Sequence, residues 1–383
     1  MIRKLLLTLF TLALAAALGA HAADPIRIGT TQSLSGGLKE FGTNQLRGLQ
    51  MWAGDVNGRG ELLGRPVEIV YYDDGSDPAR SAELYRKLIE QDKVDLLVGP
   101  YSSNITMAAS QVAEEHDFPM LTLGASADKI WAQGYQNIVG LDVPSTRYMD
   151  IAVETAAAEG ARTLALVYGD NDFTRDVVPG VRSKARELGL EVVLDAPARS
   201  MADIPEEVRR LAAANADVIM VIAYLDGAVE LVRALKNAQV KPDMLVFGVA
   251  ASLAEFGQEL QGDAEGITGV TQWLRGVRLP GAQDFAYRYR KLYGNNPGAY
   301  AVLGYSGGQV MEAAVRLAGT TDHTAVREQL HTMTFSSLLG IYKVDADGRQ
   351  VGKNNYLLQW QGNDRRLVKP DRLAESKLIY PMP

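Results

Sequence analysis

The run Val94-Asp95-Leu96-Leu97-Val98-Gly99-Pro100-Tyr101-Ser102-Ser103 decides the fold. Val94 to Val98 reads as a buried strand, Gly99-Pro100 as a break, and the residues from Ser102 to about Glu115 as a helix. The same strand–turn–helix rhythm extends to both sides. Upstream lie the strand Ile26-Arg27-Ile28-Gly29, a loop around Ser35-Gly36-Gly37, and a helix from about Asn44 to Asn57. Val67-Glu68-Ile69-Val70-Tyr71 is the next strand, and Asp77-Pro78 opens a helix running to about Gln91. Downstream, Met120-Leu121-Thr122-Leu123 is a strand that ends in Gly124-Ala125-Ser126. Strands alternating with helices of this length specify an α/β fold, with a parallel sheet covered on both faces.

A second series begins past Val143-Pro144-Ser145. Strands are expected at Thr163 to Tyr168, Glu191 to Leu194, Val218 to Ala223 and Met244 to Phe247. Helices are expected at Asp176 to Leu188, Glu206 to Ala214 and Ala228 to Ala238. Two doubly wound units therefore stand in tandem. Ile267 to Trp273 reads as extended. The helices Asp284 to Tyr293 and Tyr305 to Leu317 have no new sheet of their own, so they are expected to return and cover the first unit. Ile341 to Trp360 alternates like a hairpin around Asp345-Ala346-Asp347-Gly348.

The start of the chain reads as an export signal. Arg3 and Lys4 precede an apolar run from Leu5 to Leu18, and Ala20-His21-Ala22 has the small-x-small pattern of a cleavage site. The run is shorter than the ~20 residues that span hydrocarbon, so residues 1–22 are expected to be removed and the remainder to reside in a periplasm. Losing Arg3 and Lys4 takes the net charge from −7 to −9. That balance argues against nucleic acid or an anionic membrane surface as partner, since both need basic surface. The chain has no cysteine, so neither a disulfide framework nor a lipid anchor at the cleavage point is available. Its stability must come from hydrophobic cores.

Several motifs resemble the start of the leucine/isoleucine/valine-binding proteins. They are Gly36-Gly37-Leu38-Lys39-Glu40-Phe41-Gly42, Asp55-Val56-Asn57, Tyr72-Asp73-Asp74 with Asp77-Pro78, and Gly99-Pro100-Tyr101-Ser102-Ser103. The resemblance extends over essentially the whole exported chain. It implies the type I periplasmic binding fold: two Rossmann-like lobes, three hinge crossings and a ligand held between the lobes. By that resemblance the crossings fall near Val143, Thr271 and Lys343. Residues 23–142 with 272–342 would form lobe 1, and 143–271 with 343–383 lobe 2.

In open α/β sheets ligands sit beyond the carboxyl ends of the strands, and the start of the helix after Val98 offers free amides and a positive dipole end to a carboxylate. Taken alone, Ser102 and Ser103 read as helix caps. The resemblance instead gives Ser103 the role of carboxylate-binding serine. It also implies that Ser102 and Ser76 stand where some relatives place a disulfide. It further implies that Gly124, Ala125 and Ser126 meet the ligand head, that Phe41 forms a wall beneath its side group, and that Phe173, Tyr224 and Tyr300 line the opposing side. Aromatics suit such a lining because they bury apolar area while tyrosine keeps a hydroxyl.

One position departs from the family pattern. Many amino-acid-binding members carry a glutamate after the strand equivalent to Met244 to Phe247, where it pairs with the ligand ammonium, and Ala250 stands at the matching place here. A buried ammonium without a counter-charge costs several kcal/mol. Either Asp226 or Glu255 takes that role, or the ligand lacks a free α-amine. An amino acid, branched-chain in type, is the first expectation; aromatic or other organic acids and amides are the alternative.

No catalytic constellation, metal site or cofactor is expected. His116, His323 and His331 are scattered, no phosphate loop or Gly-x-Ser-x-Gly elbow follows the early strands, and Thr174 and Arg175 break the calcium-loop pattern begun by Asp170, Asp172 and Asp176. Asn104-Ile105-Thr106 matches a glycosylation sequon that carries no weight at a bacterial helix start. The family implies a monomer that closes on its ligand and docks onto an ABC permease and ATPase complex, with a periplasmic sensor of the same fold as the other class.

Overall fold

A computed structural model describes residues 23–169, 172–197, 204–223, 225 and 227–383. The expected signal peptide, residues 1–22, lies outside them. In the first lobe the chain runs through β1 (Ile26–Gln32), α1 (Lys39–Gly58), β2 (Val67–Asp73), α2 (Pro78–Glu90), β3 (Leu96–Val98), α3 (Ser103–Glu115), β4 (Met120–Thr122), the single turn α4 (Lys129–Ala132) and β5 (Ile138–Gly140). The strands pair in parallel in the order β2-β1-β3-β4-β5. Every residue of β3, β4 and β5 is buried, as a sheet covered on both faces demands. Asp77 starts α2 by accepting from the amides of Ala79 (2.8 Å) and Arg80 (3.1 Å), with Pro78 at the first helical position.

The second lobe comprises α5 (Asp150–Ala158), β6 (Thr163–Tyr168), α6 (Asp172–Leu188), β7 (Glu191–Pro197), α7 (Ile204–Ala214), β8 (Val218–Ile222), α8 (Ala228–Asn237), β9 (Met244–Phe247), α9 (Ala254–Leu260) and β10 (Thr268–Thr271). Its parallel strands run β7-β6-β8-β9-β10, the same winding as the first lobe. Each sheet therefore has a switch point where connections leave in opposite directions, and ligands in such sheets sit beside it.

The chain then returns to the first lobe as α10 (Ala282–Tyr293), α11 (Ala299–Ala318) and α12 (His323–Thr332). The long helices α1 and α11 touch backbone to backbone. A Cβ on Gly48 would lie 1.8 Å from the carbonyl oxygen of Ala301, and one on Gly304 would lie 1.9 Å from that of Gln45. Only glycine permits that approach. Polar ties reinforce it: Tyr305 donates to Asp55 (2.6 Å), Arg288 grips both oxygens of Asp55 (2.6 and 2.7 Å), and Trp52 Nε1 donates to Glu312 (3.1 Å).

The last segment differs from the sequence reading. Strands β11 (Phe335–Ser337) and β12 (Gly340–Tyr342) form a small antiparallel ladder. The turn at Asp345 to Gly348 exists, but it closes a short bridge between Val344 and Gln350. The long hairpin is instead β13 (Tyr356–Gln361) with β14 (Asp364–Lys369), added antiparallel to β10. Gly140 N donates to Gly348 O (2.8 Å), and Gln350 Nε2 donates to Leu141 O (3.3 Å). Residues 343–350 thus stay with the first lobe, and the third crossing runs through Lys353 rather than Lys343. Among the described residues no helix is long and apolar enough to cross a membrane.

Candidate functional site

The carboxyl ends of the two sheets face one another across a cleft. From the first lobe it is lined by Tyr101, Ser102 and Ser103 after β3, Gly124 and Ser126 after β4, and Tyr300 on α11. From the second come Tyr148, Phe173 after β6 and Val249 after β9, while Asp142 and Gln272 reach it from two of the crossings. The space between these residues is about 330 Å3, part of it open to solvent.

Hydrogen bonding around α3 prepares this cleft for an anion. Ser102 N donates to Gly124 O (3.3 Å), and Ser102 Oγ accepts from Ile105 N (3.4 Å). Of the orphan amides at the helix start, those of Ser103 and Asn104 receive no such partner. Ser103 Oγ accepts from the backbone amides of Ser126 (3.3 Å) and Ala127 (3.1 Å). A hydroxyl has two acceptor lone pairs and one proton. With both lone pairs engaged, the buried Ser103 hydroxyl can only donate, which suits a carboxylate oxygen. Ser126 Oγ accepts from Ser145 Oγ (3.3 Å), and Ser145 N donates to Ser126 O (2.6 Å), so the loop after β4 is fixed to the first crossing.

The crossings contribute a buried polar cluster. Asp142 accepts from Val143 N (2.8 Å) and Gln272 Nε2 (3.2 Å), and Gln272 Nε2 also donates to the Tyr148 hydroxyl (3.1 Å). Lys353 Nζ lies 3.9 Å from Asp142 Oδ1, with side chains 7% and 4% exposed. Burial pushes the Asp142 carboxyl above its usual range, against the pull of Lys353. The Lys353 amine is pushed down by burial to about 8, against the pull of Asp142.

The sequence-derived residues divide into groups. Ser102, Ser103, Gly124, Ser126, Phe173 and Tyr300 meet at the cleft. Ser102 is also the helix cap that its sequence position suggests. Phe41 stands one layer behind, stacked on Tyr101 (centroids 4.7 Å apart) and edge-on to Tyr300 (4.8 Å). Two residues are absent from the lining: Ala125 packs into the apolar core between α3 and the sheet, and Ala250 is fully buried in the second lobe's core, with Val249 lining the cleft instead. Ala250 begins a short 3-10 turn (Ala250–Ser252), and its methyl group, like that of Ala125, packs into a core. Tyr224 and Asp226 lie outside the described residues, as does Asp170. Glu255 is absent from this lining and faces an adjoining depression with Glu40, Asn44, Arg290 and Arg365, which shares Tyr300 with the cleft. Sequence reasoning missed Asp142, Tyr148, Gln272 and Lys353. Asp142 and Gln272 were detectable as polar residues just past the short strands β5 and β10.

Comparison with known proteins agrees with this fold. The sequence model of the family described as "Periplasmic binding protein" matches residues 25–365. The chain is 26% identical to "Leu/Ile/Val-binding protein homolog 7" of Brucella abortus (strain 2308), over 99% of each protein. Among solved structures it superposes on the branched-chain amino acid transporter substrate-binding protein LivJ of Streptococcus pneumoniae, in complex with isoleucine. That match has a TM-score of 0.78 and 23% identity, covering 94% of this chain and 100% of that one. It also superposes on an ABC-transporter solute-binding protein of R. palustris in complex with benzoate, with a TM-score of 0.77 and 21% identity, covering 94% and 97%. The chain belongs to the periplasmic binding protein family.

Proposed function

We propose that this protein captures a small carboxylate between its lobes and presents it to an ABC permease and ATPase at the inner membrane. The observation that carries this reading is the Ser103 hydroxyl, which accepts from two backbone amides and keeps only its proton for a ligand. The unpartnered amides at the start of α3 and the helix dipole add to the attraction for an anion. The aromatic rings of Tyr101, Tyr148, Phe173 and Tyr300 suit an apolar body behind the carboxylate. The isoleucine and benzoate held by the two structural neighbours share that plan of a carboxylate on an apolar group.

Capture works by hinge closure. Ligand bound to the first lobe alone would keep one face in water. Closing the second lobe brings Tyr148, Phe173 and Val249 over it, so only the closed form gains both sets of contacts and the equilibrium shifts toward it.

The test is a calorimetric and thermal-shift panel of amino acids, aliphatic acids and aromatic acids, each beside its primary amide. A carboxylate that binds raises the apparent stability by mass action. The expected result is at least one carboxylate that binds tenfold or more tighter than its amide. Equal binding of acid and amide, or no binding by any acid, refutes the reading.

A further inference from the structure

The three chain crossings each deliver one polar side chain to the same buried spot: Asp142 follows β5, Gln272 follows β10, and Lys353 precedes β13. Gln272 and the Val143 amide satisfy the Asp142 oxygens. Lys353 Nζ makes no hydrogen bond among the described residues, although the side chain is almost wholly buried. Among the described residues its one charged partner is Asp142, 3.9 Å away. Asp142 and Gln272 line the ligand cleft, whereas Lys353 stands behind Asp142.

This geometry bears on which carboxylates fit. A buried carboxylate lining the cleft would attract a cationic group on the ligand. Here the protein's own ammonium already neutralises it. An ammonium brought by the ligand would share one carboxylate with a second cation in a site sheltered from water, where like charges repel strongly. It would also lose its hydration without full compensation. Ala250, where the family's ammonium-pairing glutamate would stand, is apolar and fully buried, and among the described residues the cleft lining holds no carboxylate but Asp142, Glu255 facing the adjoining depression. A ligand without an amine meets none of these costs.

We infer that Lys353 is a specificity-determining residue: its ammonium takes the place of a ligand ammonium beside Asp142, and the cleft selects monocarboxylates that lack an α-amine. The inference rests on the carboxylate reading of the cleft given above. The amine stays protonated at neutral pH, since burial lowers it only to about 8.

Isothermal titration of the exported chain with matched pairs tests it: L-phenylalanine against 3-phenylpropanoate, and L-leucine against 4-methylpentanoate, with benzoate as a further amine-free acid. Wild-type protein is expected to bind an amine-free acid at least tenfold tighter than its amino-acid partner. Lys353→Met leaves Asp142 unneutralised, and the ratio should move at least tenfold toward the amino acid. Should that variant fold poorly, the double variant Asp142→Asn/Lys353→Met removes both charges and should show no such gain for amino acids; a gain there overturns the role of the pair. Wild-type binding of amino acids as tight as that of their deaminated partners overturns the inference while leaving the carboxylate reading intact, as does an unmoved ratio in Lys353→Met. Failure of every acid in both series means that the carboxylate reading itself has failed, and the inference falls with it.

Discussion

Replacing Ser103 with alanine separates a ligand-binding serine from one that only shapes a loop. The Ser103 oxygen accepts from the amides of Ser126 and Ala127 at 3.3 and 3.1 Å, and its side chain is buried. Ser103→Ala strips both amides of their acceptor, at about 1–3 kcal/mol for each that water cannot reach. The ligand-free protein should therefore melt several degrees lower. In the complex the variant also loses one hydrogen bond to a charged oxygen, worth about 1.5–3 kcal/mol, which converts to a Kd about 10- to 150-fold weaker. Thermal melts of ligand-free protein read the first effect, and titration with the tightest carboxylate of the panel reads the second. A lower melting temperature with Kd unchanged within about threefold would show that the hydroxyl holds the loop and that the carboxylate lies elsewhere.

Five further substitutions, at four positions, probe the scaffold. Ser102 has φ 77° and ψ 147°, close to a region used almost only by glycine. Ser102→Gly should relieve about 1–3 kcal/mol of strain at little capping cost and raise Tm, whereas Ser102→Ala keeps the strain, loses the cap and should lower it. On α1, Gly48→Ala drives a methyl into the Ala301 carbonyl and should destabilise by about 1–3 kcal/mol or more. Gly54→Ala on the same helix meets open space at an exposed position and should stabilise by about 0.5–1 kcal/mol; calorimetry on the pair should show opposite signs. Burial pushes the Asp150 carboxyl up to about 6, above its unfolded value of 3.8, despite opposing pulls from Lys184 and Arg147. The folded state then holds more proton between those values, so this group's contribution to stability falls as pH rises through about 4 to 6. Asp150→Asn should raise Tm at pH 7, by a free energy of at most about 3 kcal/mol, and the gain should vanish near pH 4; a gain independent of pH would refute the assignment.

Much of this architecture was legible in the sequence because parallel strands buried on both faces read as unbroken apolar runs. Thr163 to Tyr168 and Met244 to Phe247 are strands within those bounds. Short elements were harder: Ile138–Gly140 spans three residues, too few for periodicity to register. Missing it also hid Asp142 just beyond it. The third crossing was misplaced at Lys343 because alternation alone cannot tell which sheet a hairpin joins, and the deciding contacts, Gly140 to Gly348 and Gln350 to Leu141, are long-range. Ser103 and Ser126, the proposed carboxylate end of the site, were readable at the strand tips. The opposite end was not: Asp142, Gln272 and Lys353 are far apart in the chain and meet only through the crossings. Ala125 and Ala250 stand beside cleft residues in sequence, yet their side chains turn into the cores.

The most direct test of the central claim is a crystal structure of the protein with the tightest carboxylate from the binding panel. The account predicts one carboxylate oxygen about 2.5–2.8 Å from Ser103 Oγ, with the ligand's apolar body between Tyr300 on one side and Phe173 on the other. A carboxylate bound in another depression, such as the one beside Arg365 and Glu255, or one that turns its oxygens away from Ser103, would contradict it.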